Sequence, residues 1–525
     1  RMATGSGSLA GTVAVASVSG RTSFAALVVD NSLGDLFTAS SSGQTRFVIE
    51  QNGDVGIGTS IADARLHVSG GDILIDQRTT TAANAMQNWS RITNSAGTVV
   101  SAGTSSIASI SASVVWNGSL YIGTNKANEA EVYRYNGTSG NWTRVTSGAG
   151  TITTSGTASI DMIASMTVYN GQMYIGTKEP NGAEIYRYEG GTTWTKVSHA
   201  TAGRILTNTG IDGVTSLAVY GGRLFAGTEE PNLAEVYIYG GGTTWQAVNG
   251  TQGTLVATNT IGVDSITNMV SWDNQLIVGT YSSSGDADVV RWNGIIGGSP
   301  FFALNLASTT GSYLIDNSAQ TGYTEVTAMT VWAGKLIVAL RRGPSLSDIL
   351  MYQQPAGGAA PINSWTRMSS AAGTITAGGT ANIDGVSALA VYNGRLYAGT
   401  SESNSAEIYR YNEDAAWTKV SQNTAGMISG GGTPSIDTIS TLMPFNHNSL
   451  FAGTLESTNA AEGYIYEAVI DQSFALKFHA GNSQSGGESN NQQNLASIFF
   501  VASLSANVNN KAGNTGSFVF THGIT

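Results

Sequence analysis

The stretch that decides the fold is VYNGRLYAGT, Val391 to Thr400; with small changes it also runs as VYNGQMYIGT from Val168 and as VYGGRLFAGT from Val219. Each copy is two alternating runs of β-branched, aromatic and polar residues divided by Asn-Gly or Gly-Gly. That pattern is the strongest short-range signal for a β-hairpin with a two-residue turn. Gly394 is expected to serve the turn, and Gly399 a bulge or a close approach between strands.

Outward from the hairpin the repeat lengthens. Trp89, Trp142, Trp194 and Trp245 open the segments NWSRIT, NWTRVT, TWTKVS and TWQAVN at spacings of 53, 52 and 51 residues, and Trp365 and Trp417 resume the series 52 apart. FFALNL at Phe301 fills the gap between Trp245 and Trp365, which makes seven units. Within a unit the hairpin is followed by a polar loop, a third run such as AEVYIY (Ala234 to Tyr239), a Gly-rich turn and the Trp run. Four antiparallel strands at a period near 50 are the signature of propeller blades. The phase adds a prediction. The first unit begins with its Trp strand (88–92) and the last ends on its third run, AEGYIYEAV (461–469), so the N-terminal Trp strand is expected to complete the seventh blade. The reading is therefore all-β: a seven-bladed β-propeller over residues 85–470, inserted between β-rich assembly segments at 1–84 and 471–525.

Composition agrees with a large repetitive β fold. The 525 residues include 66 Gly, 8 Pro, 10 Trp and 20 Tyr, and only 11% are charged, against about 25% in ordinary globular chains. A net charge of −11 and the lack of a basic stripe argue against nucleic acid or an anionic membrane surface as partner. Cysteine is absent, which removes thiol chemistry, disulfides and cysteine metal sites. No run of about 18 apolar residues codes a membrane span. RMATGSGSLAG at the start lacks the apolar core of a signal peptide, and a chain opening on Arg1 is expected to be a mature or excised piece. Such Gly-, Ser-, Thr- and Asn-rich sequence suits an extracellular, surface-exposed protein.

FVIEQNGDVGIGTSIADARLHVSG (Phe47 to Gly70) resembles the VGIGT-type segment recurrent in phage tail fibres and bacterial surface fibre proteins, where it belongs to β-rich shafts. The repeats separately resemble kelch-like propellers. The first resemblance implies a β-rich, often trimeric shaft; separately, the apolar terminal runs TVAVASV (Thr12 to Val18) and ASIFFVASLSANV (Ala496 to Val508) are expected to pair with another copy of the chain. The leading expectation is a structural or adhesive subunit of a cell-surface filament, joined by strand complementation through its termini. A phage tail fibre or receptor-binding protein on a virion tail is the alternative, and a glycan-binding or sialidase-like propeller a distant one. The last rests on GGTTWTKV (Gly190 to Val197), which resembles the second half of the sialidase Asp-box.

No catalytic constellation accompanies these features. The five histidines (His67, His199, His447, His479 and His522) are scattered rather than spaced as ligands. Asp161, Asp212, Asp264, Asp384 and Asp437 recur before first strands, and Glu131, Glu184, Glu235, Glu407 and Glu462 recur at the start of third strands. An active site needs unlike groups converging, whereas repeated groups describe equivalent turns and caps. The expectation is a protein that is not an enzyme, with no cofactor and no metal. Binding is expected on the longer loops. Units four and five depart most from the repeat, with TYSSSGDAD and ALRRGPSLSD, so Arg341, Arg342 and Asp286 are the candidate ligand-face residues, toward surface glycans or a receptor.

Overall fold

A computed structural model describes residues 35–41, 44–50, 53–57, 59–61, 66–68 and, with short interruptions, 89–467. Among the described residues every regular element is a strand. The terminal segments 1–34 and 468–525, which hold most of the expected assembly strands, lie outside them.

The first repeat unit comprises Ser109–Trp116, Ser119–Asn125, Val132–Thr138 and Asn141–Arg144, each antiparallel to the next. Equivalent sets, units 2 to 7, begin at Met162, Gly213, Ser265, Glu325, Gly385 and Thr438. The turn chemistry decides the hairpins. Asn117-Gly118, Asn170-Gly171, Gly221-Gly222, Ala333-Gly334 and Asn393-Gly394 have positive φ at both positions, as a type I′ turn requires. In the hairpin read first, Tyr392 pairs with Arg395 directly across Asn393-Gly394. Unit 7 holds Thr438–Phe445, Ser449–Leu455 and Gly463–Glu467. Its third strand pairs antiparallel with Trp89–Arg91, Tyr464 lying opposite Arg91 and Tyr466 opposite Trp89.

Neighbouring units are joined in three ways. The glycine of each Gly-Thr pair lets one unit's second strand approach the next unit's first. A Cβ built on Gly399 would sit 2.6 Å from Ile439 Cβ, and one on Gly123 2.5 Å from Ile163 Cβ. The first strands carry a bulge, and the bulged residue is a hydroxyl in six of the seven units. Ser111 Oγ donates to Ile163 O (2.7 Å), Thr215 Oγ1 to Ile266 O (2.9 Å), Thr267 Oγ1 to Val326 O (2.6 Å) and Thr327 Oγ1 to Val386 O (2.6 Å). Ser387 Oγ reaches Ile439 O (2.8 Å), and Ser440 Oγ reaches Ile110 O, back in unit 1 (2.6 Å). Unit 2 has Ala164 at this position, and its neighbour Ser165 donates to Val214 O instead (2.6 Å). Finally, the buried fourth-strand tryptophans donate to carbonyls of the preceding unit, as Trp194 Nε1 does to Val145 O at 2.8 Å. Apolar clusters built from adjacent units fill the remaining space, Tyr174, Ile185, Val214, Leu224 and Trp245 among them. This arrangement, repeated antiparallel units packed face to face, is that of a β-propeller.

Units 4 and 5 carry an element the repeat did not suggest. Tyr313–Ile315 pairs with Ser318–Gln320, then runs parallel to the fourth strand of unit 5, Ser364–Arg367. Tyr313 packs edge-on against Tyr323 and Trp365. The insertion thus covers aromatic surface that the shorter units do not have.

The N-terminal unit is a separate four-stranded sheet: Phe37–Ser41, Gln44–Ile49, Val55–Ile57 and Leu66–Val68. The first three are antiparallel, and the last is parallel to Val55–Ile57. Val48 is buried, whereas Phe37, Ile57 and Leu66 are 41–54% exposed.

Candidate functional site

The repeated acids are structural in their contacts. Glu131 is fully buried; it accepts the Tyr133 hydroxyl proton and pairs with Arg144 Nη1 at 3.0 Å. The same triad recurs as Tyr186–Glu184–Lys196, Tyr409–Glu407–Lys419 and Tyr464–Glu462–Arg91. In unit 5 Asp348 replaces Glu and meets Tyr323 (2.6 Å) and Arg367 (2.7 Å). Burial beside a carboxylate holds these tyrosine hydroxyls above their usual range. The basic member stands two residues after Trp89, Trp142, Trp194, Trp365 and Trp417 and was legible in NWSRIT, NWTRVT and TWTKVS, but pairing it with the third-strand acid needed the strand register. The repeated Asp residues accept backbone N–H groups from the preceding unit's loop: Asp161 from Asn128, Asp212 from Asn181 and Asp437 from Asn404, each at 2.7 Å. Those asparagines have positive φ, which fixes the loop's turn.

Two carboxylates, Glu230 and Glu456, fall outside this scheme. Glu456 is 2% exposed, and its Oε2 has no hydrogen-bond partner. Burial, with Asp437 and Glu462 adding repulsion, pushes its pKa up from 4.5 to about 7. A carboxyl that titrates higher when folded stabilises the fold fully below its unfolded pKa. That contribution is lost as pH rises from about 4.5 to about 7. Glu456→Gln is therefore expected to raise stability by about 2 kcal/mol at pH 8 and by little at pH 4.5. Thermal melts of both proteins at the two pH values check this; an equal gain at both would refute it.

Ion pairs that do not follow the repeat gather at one cavity. A cavity of about 400 Å³ lies where the first strands of units 2 to 5 begin and their second strands end. The residue after Gly-Thr varies from unit to unit in an otherwise repeated frame: Asn125, Lys178, Glu229 and Tyr281, then, after the Ala-Leu of unit 5, Arg341. Lys178 Nζ bonds both Glu229 oxygens at 2.7 and 2.8 Å, and Arg341 Nη1 meets Glu325 at 2.8 Å. The backbone register runs Glu229–Ser265–Tyr281–Glu325, so the two ion pairs flank the uncharged lining of unit 4. Burial raises the Glu325 carboxyl above its usual range; Arg341 opposes the rise and Glu229 adds to it. Thr215, Thr267 and Thr327 also line the cavity.

Of the residues expected on a binding face, Arg341 ends the second strand of unit 5 and lines this cavity. Arg342 lies in the following loop, stacked 5.9 Å over the Tyr323 ring and donating to Gln320 Oε1 at 3.1 Å. Asp286 lies outside the described residues. Lys178, Glu229 and Glu325 escaped the sequence reading, because attention to what repeats hides the one position that does not. Among the described residues no cluster of His, Asp and Glu has the makings of a metal site, and no helix is long and apolar enough to cross a membrane.

No protein-family model and no curated protein sequence matches the chain. Among solved structures it is similar to the β-propeller domain of Cps50 (Swd1) from Myceliophteria thermophila, at 10% identity and a TM-score of 0.42, covering 68% of this chain and 97% of that one. YCF48 from Cyanidioschyzon merolae matches at 8% identity and a TM-score of 0.43, covering 72% and 99%. A mutant Aleuria aurantia lectin in complex with Fucα1-6GlcNAc matches at 11% and 0.35, covering 62% and 98%.

Proposed function

We propose that this chain is a non-catalytic binding subunit of an extracellular fibre: a seven-bladed propeller that presents a ligand cavity and is carried on a β-rich assembly module. The observation that carries the reading is the distribution of charge. Repeated interior acids pair with tyrosine, lysine, arginine or backbone in the same way from unit to unit, as Glu131, Glu184 and Asp161 do, whereas the cavity of units 2 to 5 gathers two ion pairs that do not follow the repeat, Lys178–Glu229 and Arg341–Glu325. Ring closure is supported by the Trp89–Arg91 pairing with Gly463–Glu467 and by the Ser440 to Ile110 hydrogen bond. In such a ring the cavity lies at the mouth of the central channel. Assembly through a second copy is supported by the small N-terminal sheet, whose Phe37, Ile57 and Leu66 stand exposed; apolar sheet surface and open edges are templates for another chain.

Two measurements on the full chain test this. A glycoside panel is expected to give binding without turnover, and turnover abolished by substitution of Glu229 or Glu325 would sink the non-catalytic reading. Native mass spectrometry with negative-stain imaging is expected to show open polymers. A closed trimer would favour the tail-fibre alternative, and a persistent monomer at high concentration would rule out strand-mediated assembly.

A further inference from the structure

A departure from the repeat lies at the strand ends away from the cavity. Each second strand opens on one residue and pairs with the third strand two positions further on; unit 6 alone has a cation at both places, Arg395 and Arg410. Arg395 stands opposite Tyr392 and Arg410 opposite Tyr397, so the two arginines are diagonal neighbours on one face, about 7–8 Å apart at the backbone. That face packs on unit 7, with Tyr392 5.8 Å from Tyr397 and 6.4 Å from Tyr466. In unit 2 the matching arginine, Arg187, is held by Glu189 at 2.8 Å. Unit 6 has the neutral Asn412 in place of that acid, and its amide donates to Thr418 at 2.8 Å. Among the described residues neither Arg395 nor Arg410 forms an ion pair, and Arg410 Nε is buried without an acceptor. Ring closure adds a hydroxyl. Tyr188 and Tyr239 donate to Gly191 O and Gly242 O in the turns that lead to their fourth strands, each at 3.0 Å. Tyr466 holds the same place in unit 7, where the fourth strand is Trp89–Arg91 and no such turn exists, so among the described residues its hydroxyl has no partner.

The charge gathered here is positive, and the hydroxyls beside it keep their protons. Burial, reinforced by Tyr466, outweighs Arg410 and Arg395 and holds the Tyr397 hydroxyl above its usual range. Burial does the same for Tyr466 against Arg410. A guanidinium offers five N–H donors and no acceptor, and both arginines are half-buried, open to a ligand from solvent. An oxyanion between them would neutralise two neighbouring like charges and give the buried Arg410 Nε–H its acceptor. Arginine–oxyanion contacts are charge-assisted and frequently bidentate, which makes them the strong ones. We infer that the groove between units 6 and 7 binds an oxyanion, a carboxylate or a sulfate ester, held by Arg395 and Arg410 with the Tyr466 hydroxyl as a supporting donor. The site is at the other strand ends from the cavity of units 2 to 5 and is independent of it. A uronic acid carries the first of these groups and a sulfated sugar the second.

Isothermal titration of the full chain in low-salt buffer tests this, with glucuronate and glucose 6-sulfate as probes and glucose as the neutral control. At least one anion is expected to bind, with glucose at least about 10-fold weaker, and added salt should weaken the anion. Binding by glucuronate alone assigns the carboxylate source, by glucose 6-sulfate alone the sulfate ester, and by both the shared oxyanion. Arg395→Gln and Arg410→Gln should each weaken the anion about 10-fold or more. Arg223→Gln, at the matching position of unit 3, where Ile238 stands in place of the second arginine, should leave it unchanged. Tyr466→Phe, which removes only a hydroxyl, gives a further variant expected to lose several-fold. Melting temperatures no lower than that of the unchanged chain establish that the variants fold. Glucose binding as tightly as the anions, or anion binding that survives both arginine substitutions, would overturn the assignment. Failure of both anions to bind would overturn it too.

Discussion

Deleting Trp89–Arg91 is expected to remove most of the propeller's stability, although only three residues are lost. The strand supplies Trp89, which is buried, stacks against Tyr466 at 5.3 Å and donates its indole N–H to Val420 O at 2.8 Å. It also supplies Arg91, 2.6 Å from the fully buried Glu462 carboxylate. Removing a buried tryptophan costs about 3–5 kcal/mol. Stranding a buried carboxylate without its cation costs about 3–5 kcal/mol more. The two are neighbours and will not add fully, but a loss above about 5 kcal/mol is comparable with the whole stability of an ordinary domain. Urea denaturation should show this loss, whereas deleting residues 294–296 in an exposed loop should cost far less. Equal losses would mean that the N-terminal strand does not latch the fold. Arg91→Met separates the two contributions, since it keeps the strand and removes only the cation.

Replacing Gly399 is the second large effect. Its backbone φ is not in the left-handed region, so the demand for glycine comes from space alone. A Cβ there would meet Ile439 Cβ and Cγ2, both at 2.6 Å, on the first strand of the next unit. Gly399→Ala is expected to cost about 2–3 kcal/mol and Gly399→Val more, by forcing two close-packed units apart. Gly394, five residues before it in the same hairpin, gives the contrast. It has φ +69°, and at the equivalent turn glycine of unit 5, Gly334, a Cβ would meet nothing within 4 Å, so Gly394→Ala should cost about 1 kcal/mol, from backbone strain. Ile439→Ala, which removes the Cγ2 that the new methyl would meet, combined with Gly399→Ala should recover part of the loss. Unit 5 already holds Ala339 at this position, in the same buried cluster as Val386. A cycle in which the two substitutions are additive would show that the inter-unit contact is not the cause.

These two glycines mark the boundary between what the chain states locally and what it does not. The turn at Asn393-Gly394 needs two positive φ values, and Asn and Gly tolerate them. The alternation on either side buries one face of each strand, so hairpin, register and strand direction are all written within ten residues. The fourfold strand count and the phase of the last unit follow from repetition of the same local pattern. The structural role of the repeated Asp residues was also legible, because an acid at five equivalent turns has a backbone task rather than a chemical one.

The cavity was not legible. Lys178, Glu229 and the Glu325–Arg341 pair come from three different units, and the first and last of these residues are separated by 163 positions. No local periodicity links them. They meet because consecutive units pair edge to edge at single positions, Glu229 with Ser265 and Tyr281 with Glu325. Each of these residues looks, in its own unit, like one polar side chain at the end of a strand. The Tyr–Glu–Lys/Arg triads follow the same rule: acid and base recur in the sequence, but the register across two strands decides that they pair. Short-range backbone and packing preferences are a property of neighbouring residues, so the sequence by itself determined the hairpins, the units and their number of strands. Electrostatic convergence depends on distances set by how units stack, and only the tertiary structure decided which charges share a cavity.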